Sequence, residues 1–529
     1  MTCRRIVPVD ISLPFWRYGA MFGPHACAFL LDSALAGERL GRFSFLGGRP
    51  SALLTARRIP GPDLQMNLTL TTWRPASGMP LAQASVREWV GDPFTALREL
   101  ESAYRPDPGD EIPPGPPFRS GLVGFFGYEF GHAVEHLPDT GVDDLQLPDL
   151  AFMAVDEVLC HDHQTGETSL AIIDRGDADA RVSQWRALIS ACEADADGPG
   201  TGGHTPHFPG RLEDAGARMA EAPGSRAGRS QGWRRPATPE MGGTAAGPPP
   251  VRAHFTRDEY CAAVQKCRDH IRAGDIFEVC LTHRLEMDLP GDPWRLYGIL
   301  RTINPAPFAS WLRLPGFQVV SASPERFLSL DGNRGAESRP IKGTRPRGAN
   351  PAADARLRDE LARSAKDRAE NVMIVDLVRN DLGRVAEIGS VEVPELQAIE
   401  EYATVFQMVS TVRARLRRDR DAFDLVRACF PGGSMTGAPK IEAMKIIDAI
   451  EPVKRGVYAG AIGYFDHGGA MDLSIVIRAI VCREGRATFG VGGAVVADSD
   501  PAAEYQETLD KARALITAVG MMGDPGGAP

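Results

Sequence analysis

Short apolar runs bounded by turn residues follow one another in this chain with no helix pattern set regularly between them, and that arrangement limits its fold most. A doubly wound parallel sheet needs strand and helix to alternate. Here CAFLLDS, GRFSFLGG, SALLTARR and MNLTLTTW crowd into residues 27–73 and read as successive strands. GLVGFFGYEFG at 121–131 is glycine-rich and aromatic, as in a packed strand that another backbone approaches closely. Further on, HFTRDEYCAAVQKCRDHIRAGD predicts a helix ending at Gly274, and FEVCLTHRLEM predicts a strand. FQVVSASPERFLSL reads as one more strand, and the aliphatic run at 473–482 as another. No internal repeat appears. The pattern predicts an α+β layered fold.

With 529 residues, 43% of them hydrophobic, the chain can bury a core without disulfide or metal staples. Its net charge of −10 sets up no basic field for nucleic acid or an anionic membrane, so neither is an expected partner. An anionic substrate would have to be met by local basic groups, backbone amides or a cation. The nine cysteines include no CxxC pair, which fits a reducing compartment and argues against zinc. The opening residues hold no long apolar run, and no stretch nears the roughly 18 apolar residues of a membrane span, so a cytoplasmic protein is expected. Residues 1–193 form a β-rich region. Residues 194–252 are dense in Gly, Pro, Ala and polar residues and read as a linker or surface insertion, or else a docking tail. Residues 253–520 carry the glycine motifs, and 521–529 read as a flexible tail.

Two helical patterns present acids. Residues 351–384 predict one long helix with Leu357, Leu361, Ala365, Val372 and Val375 at helical spacing, and Asp367 and Glu370 projecting from nearly one side. In the last helix Pro501 suits a first position, Tyr505, Leu509, Ala512 and Ile516 form the expected apolar stripe, and Glu504, Glu507 and Lys511 form another. These four carboxylates either converge on a hard cation such as Mg²⁺ or make surface salt bridges; spacing leaves both open.

Three glycine-dense strings follow: PIKGTRPRG at 340–348, FPGGSMTGAPKIEAMKIID at 430–448 and FGVGGAVVADSDP at 489–501. The second runs from glycines through Thr436 and Gly437 into a helix with Ile441, Met444 and Ile447 expected inward. Such an entrance presents free N–H groups to an anion. It is no Walker loop, because Ala438 and Pro439 stand where Lys and Ser/Thr are required. The residues themselves point to a site for a small carboxylated molecule.

These strings, with SASPERF, KDRAENVMIVDLVRNDLG, YAGAIGYF, IRAI and ADSDPAAEYQET in the same order, resemble the chorismate-utilising enzymes over roughly 253–520. LLDS at 30–33 and NPAPFASWL at 304–312 resemble the amino-terminal motifs of the aminating members. The resemblance implies an α+β fold of two large antiparallel sheets packed as a sandwich and ringed by helices. It implies Mg²⁺ held directly by Glu370 and Glu507, with Asp367 and Glu504 weaker or acting through water. It makes Arg478, Lys511 and the Gly492 backbone carboxylate binders, places Thr344, Thr436, Gly437 and Glu278 against substrate, and makes Glu325 the general acid for a departing hydroxyl. Ser33 and Pro305 would belong to a tryptophan pocket.

Within that family Lys342 in PIKGT resembles the aminodeoxychorismate synthase component I branch, where a lysine is the covalent nucleophile; anthranilate synthases usually have a small residue there. A depressed pKa is expected for it, from burial or from Arg345 or Arg347; the alternative is a structural lysine paired with a carboxylate. Glu278 stands where water-using members have lysine, and so argues against water as the nucleophile. Where the family often has histidine near VFQMVS, this chain has Phe406 and Gln407. No cysteine lies in a glutaminase-like elbow, so ammonia is expected from a separate glutamine amidotransferase subunit. The competing expectations are anthranilate synthase component I and a non-catalytic subunit that binds chorismate or tryptophan.

Overall fold

A computed structural model describes residues 3–23, 25–35, 40–59, 61, 64–74, 82–105, 115–196, 250–402 and 405–523. Most of the 194–252 segment and the end of the tail lie outside the described residues.

The described residues form two twelve-stranded antiparallel sheets. One runs Cys3–Pro8, Thr168–Asp174, Glu157–Asp162, Phe43–Gly48, Ala28–Asp32, Phe308–Leu314, Phe317–Ser323, Ala479–Arg483, Arg486–Val495, Glu278–Asp288 and Arg252–Ala253, with Gly437–Ala438 also paired to the Glu278 strand. The other runs Ile341–Pro346, Val405–Arg415, Gly335–Ser338, Arg326–Leu330, Met471–Ile475, Ala461–Asp466, Gly121–Phe126, Leu150–Val155, Ala52–Arg58, Met66–Arg74 and Ala82–Gly91, with Glu392–Glu401 beside the Val405 strand. Both sheets take strands from before and after the 194–252 segment. Their inner faces share a core in which Phe29, Phe45 and Leu312 of the first pack with Leu53, Val123 and Ile462 of the second. Phe45 and Tyr464 meet edge to face across it at 5.4 Å. The sandwich and its surrounding helices match the expected architecture.

Local signals place several helices as expected. Thr256 and Glu259 make a reciprocal capping box, and Arg257–Ala273 buries Tyr260, Ala263, Val264 and Cys267 along one side. Gly274, with φ 87°, closes it in the left-handed conformation. Asp500 caps Pro501–Met521. No helix among the described residues is long and apolar enough to cross a membrane.

Five expectations need correction. FQVVSASPERFLSL is two strands in different sheets, because Pro324 cannot donate to a ladder and the chain crosses between layers there. The run at 473–482 also splits, into Met471–Ile475 and Ala479–Arg483, and crosses back at Arg478. The helix expected over 351–384 is broken at Ser364, whose hydroxyl caps Ala365–Gly383 through Asp367 N. In the last helix the buried residues are Glu504, Thr508, Ala512, Leu515, Ala518 and Val519, so the buried stripe is rotated to include polar groups, while Ile441 on the Lys440–Ile450 helix is 40% exposed.

Candidate active site

The two sheet crossings lie side by side. Ile475 N donates to Glu325 O at 3.0 Å, and Ala322 N donates to Arg478 O at 3.1 Å. A cavity of about 420 Å³ opens beside them, lined among others by Glu325, Lys342, Gln407, Arg478, Glu507 and Lys511.

Lys342 reaches it through a bulge. Ile341 pairs with Val409 and Thr344 with Gln407, so one extra residue is accommodated in the Lys342 strand and the side-chain alternation is re-aimed. Gly343 permits this with φ 86°; a Cβ there would also press to 2.8 Å from Leu361 and 2.9 Å from Asp367. Lys342 Nζ donates to Glu278 Oε1 at 2.5 Å. Burial by itself would lower the ammonium pKa, but the Glu278 charge, with Glu370 behind it, more than offsets that and the group stays raised. The expected depression is therefore corrected. Arg345 pairs with Glu360 and Asp367, and Arg347 with Asp354, so these cations are spent on carboxylates. Glu278 does not itself line the cavity; it sits behind Lys342, 1% exposed, with Oε2 unpaired.

Glu325 is 6% exposed. Burial pushes its carboxyl up to about 7 against the opposing effects of Ser434 and Lys342. A group so poised can hold a proton near neutral pH and give it up. Arg478 sits at the second crossing with φ 51°. Among the described residues its side chain makes no ion pair, only a 3.4 Å contact with Asn304 Oδ1, and burial lowers its pKa. A partly buried guanidinium of that kind can receive a carboxylate from outside the protein. Lys511 donates to Gly492 O at 2.8 Å and pairs with Glu507 at 2.7 Å.

Asp367, Glu370 and Glu507 line the cavity, Glu504 does not, and all four act on the charge of Lys366. Glu370 Oε1 and Glu504 Oε2 are buried without hydrogen-bond partners. A Cβ on Gly493 would come within 3.1 Å of Glu504 Oε2 and 3.4 Å of Glu507 Oε1, so glycine lets the backbone approach these carboxylates. Burial raises Glu370 to about 7 and raises Glu504; for Glu507 burial acts upward too, but Lys511 and Lys366 leave it lowered. Unpaired oxygens of this type suit a hard divalent cation. Among the described residues no three acidic, histidine or cysteine groups stand preassembled around one point. Lys366 Nζ stands 3.8 Å from Glu370 Oε1 and 3.6 Å from Glu504 Oε1.

Thr344 lines the cavity, but Thr436 and Gly437 do not. They lie behind it, where Thr436 O accepts from Cys280 N at 2.8 Å and Gly437 pairs with Val279, tying the Glu278 strand to the turn before the Lys440 helix. Sequence reasoning missed Ser434, which meets Glu325, and Tyr458 in the wall. A separate cavity of about 170 Å³ holds Ser33 in its wall; Pro307 and Phe308 line it, and Pro305 does not.

The family model for chorismate binding enzyme matches residues 79–517. Aminodeoxychorismate synthase of Streptomyces griseus is 40% identical over 97% of this chain, which spans only 64% of that relative's length. Aminodeoxychorismate synthase component 1 of Klebsiella aerogenes is 37% identical, covering 96% of this chain and 98% of its own. The crystal structure of anthranilate synthase component I from Streptococcus pneumoniae TIGR4 is 27% identical with a TM-score of 0.66, over 91% of this chain and 95% of that one. With most of its length matched by the family model, the chain belongs to the chorismate binding enzyme family.

Proposed function

We propose that the chain is an aminodeoxychorismate synthase component I, which converts chorismate and ammonia to 4-amino-4-deoxychorismate through a covalent Lys342 adduct. The observation that carries this reading is Lys342 in the cavity wall, in contact with a proton acceptor, Glu278. Activation is then by an adjacent base and not by a depressed pKa.

In this mechanism Arg478 receives a carboxylate of chorismate. The Lys342 proton passes to Glu278, and the amine attacks C2. Both ring double bonds shift, the C4–O bond breaks, and Glu325 supplies the proton with which the hydroxyl leaves as water. Ammonia then bonds to C4, both double bonds shift back, and the C2–N bond breaks. The proton shed by the new amine restores Glu325, and Glu278 returns its proton to lysine. Glu370, Glu504 and Glu507, with Asp367 alongside, are the residues that would hold Mg²⁺, which would fix the ring carboxylate and draw charge as the hydroxyl departs.

The ammonia would come from a separate glutamine amidotransferase subunit. Among the described residues no cysteine hydrogen-bonds a histidine, the pairing that glutamine hydrolysis requires. Incubation with chorismate, Mg²⁺ and ammonium, with the product identified by mass, tests the reading. Anthranilate as the product would overturn it in favour of the anthranilate synthase branch. Tight binding of chorismate without turnover would replace it with a non-catalytic subunit.

A further inference from the structure

Arg478 and Lys511 provide positive charge around the cavity, and Lys342 is paired with Glu278. Gln407 is a different kind of group. It is 3% exposed and lines the cavity, yet its side chain makes no hydrogen bond to a described residue. Its amide atoms are not fully covered, so they keep some accessible surface, and the residue lines the cavity. Its strand neighbours do not satisfy it. Thr344, directly across on one side, has its own side chain in the same wall, and Glu400, across on the other, is engaged by Arg339 and by Tyr402 Oη at 2.7 Å.

A carboxamide offers one acceptor and two donors, carries no charge and does not titrate. Buried polar groups are almost always paired, and one left open in a ligand cavity is completed by the ligand or by water. Carboxylates already have cations to meet. The complement of a neutral amide is a neutral oxygen.

We propose that Gln407 is a specificity residue whose carboxamide hydrogen-bonds a neutral oxygen substituent of the bound ring diacid, either its hydroxyl or its ether oxygen. This rests on the reading of the cavity as a chorismate site. It assigns discrimination between ring diacids to a hydrogen bond that the charged residues cannot supply, since they attract any diacid of similar size.

The test is equilibrium binding of chorismate and two analogues, one lacking the ring hydroxyl and one with methylene in place of the ether oxygen, to the wild type and to Gln407→Met, which keeps side-chain length and removes the polar atoms. Chorismate should bind Gln407→Met about ten- to a hundredfold more weakly. One analogue should bind both proteins equally, and which one it is identifies the oxygen. Gln407→Asn, which retracts the amide, should show the same pattern and serves as the second variant if the methionine protein does not fold. Equal weakening of all three ligands would overturn the proposal by showing a displaced wall, as would chorismate affinity unchanged to within about twofold. Failure of the wild type to bind chorismate at all would sink the chorismate reading itself, and the proposal with it.

Discussion

Lys342 Nζ and Glu278 Oε1 lie 2.5 Å apart, with side chains 10% and 1% exposed. A pair so buried is held together by the cost of separating its charges, and removing one partner strands the other. The same contact stores the lysine as an ammonium and, on the proposed mechanism, would be the route by which it becomes an amine.

Lys342→Ala should therefore abolish amination and also destabilise the fold by about 3–5 kcal/mol, because Glu278 is left buried and unpaired. Combining Lys342→Met with Glu278→Gln should recover most of that stability and none of the activity. Denaturant melts of the three proteins check the first claim, and intact-mass analysis during turnover checks for the adduct. A double variant as unstable as Lys342→Ala would show that the pair is not what the single variant breaks.

Glu325 predicts a pH dependence. In the unfolded chain its carboxyl titrates near 4.5, and in the folded chain near 7. Below 4.5 both states are protonated and the group costs nothing. The penalty for folding grows between those values and is complete above 7. Glu325→Gln should thus stabilise the protein by about 2–3 kcal/mol near pH 8 and leave it unchanged near pH 4. Catalysis should respond oppositely: wild-type kcat falls as pH rises through about 7 and the acid loses its proton, and the glutamine variant is slow throughout. Thermal melts at the two pH values and a kcat profile measure both.

Much of the local structure was legible because its causes are local. Thr256 with Glu259, Gly274, and Asp500 before Pro501 mark helix ends within a few residues of themselves. Pro324 was a signal of the same kind, overlooked because aliphatic residues continue on both sides of it. Ser364 was hidden by helical spacing that runs unbroken through the cap. The sheet order was not legible, since pairings such as Asp32 with Ala309 join residues far apart in sequence. Motif likeness pointed to Lys342, Asp367, Glu370 and Glu507, which line one cavity; a carboxylate partner for Lys342 was an open alternative, but its identity was not legible, because the pairing depends on a bulge and on a strand from the other sheet. Gln407 showed only as a departure from the usual histidine, and its open amide appears only once the wall is assembled.

Glu451 and Arg455 brace the site from behind. Arg455 bonds both Glu451 oxygens and donates to Met435 O at 2.6 Å and Cys280 O at 2.7 Å, while Glu451 Oε1 also accepts from Thr282 N at 2.8 Å. The two carbonyls belong to segments that line the cavity. Arg455→Met should cost about 3–5 kcal/mol and lower kcat, since the buried Glu451 is stranded and the Glu278 strand loses its tie to the turn carrying Ser434. Arg455→Met combined with Glu451→Gln should regain stability but not kcat. Recovery of both would limit the pair to stability alone.

Lys366 stands where a divalent cation would be drawn, within 4 Å of both Glu370 and Glu504. One positive charge held on a flexible stem partly neutralises carboxylates that Mg²⁺ would need, so binding the metal requires that stem to swing aside. The side chain is 55% exposed, which leaves it free to do so and screens its effect. Lys366→Met should therefore bind Mg²⁺ only a few-fold more tightly, on the order of 1 kcal/mol, and the gain should shrink as salt is raised. Calorimetric titration with Mg²⁺ alone measures this without reference to turnover. Weaker binding in the methionine variant would mean that Lys366 organises the carboxylates and does not compete for them.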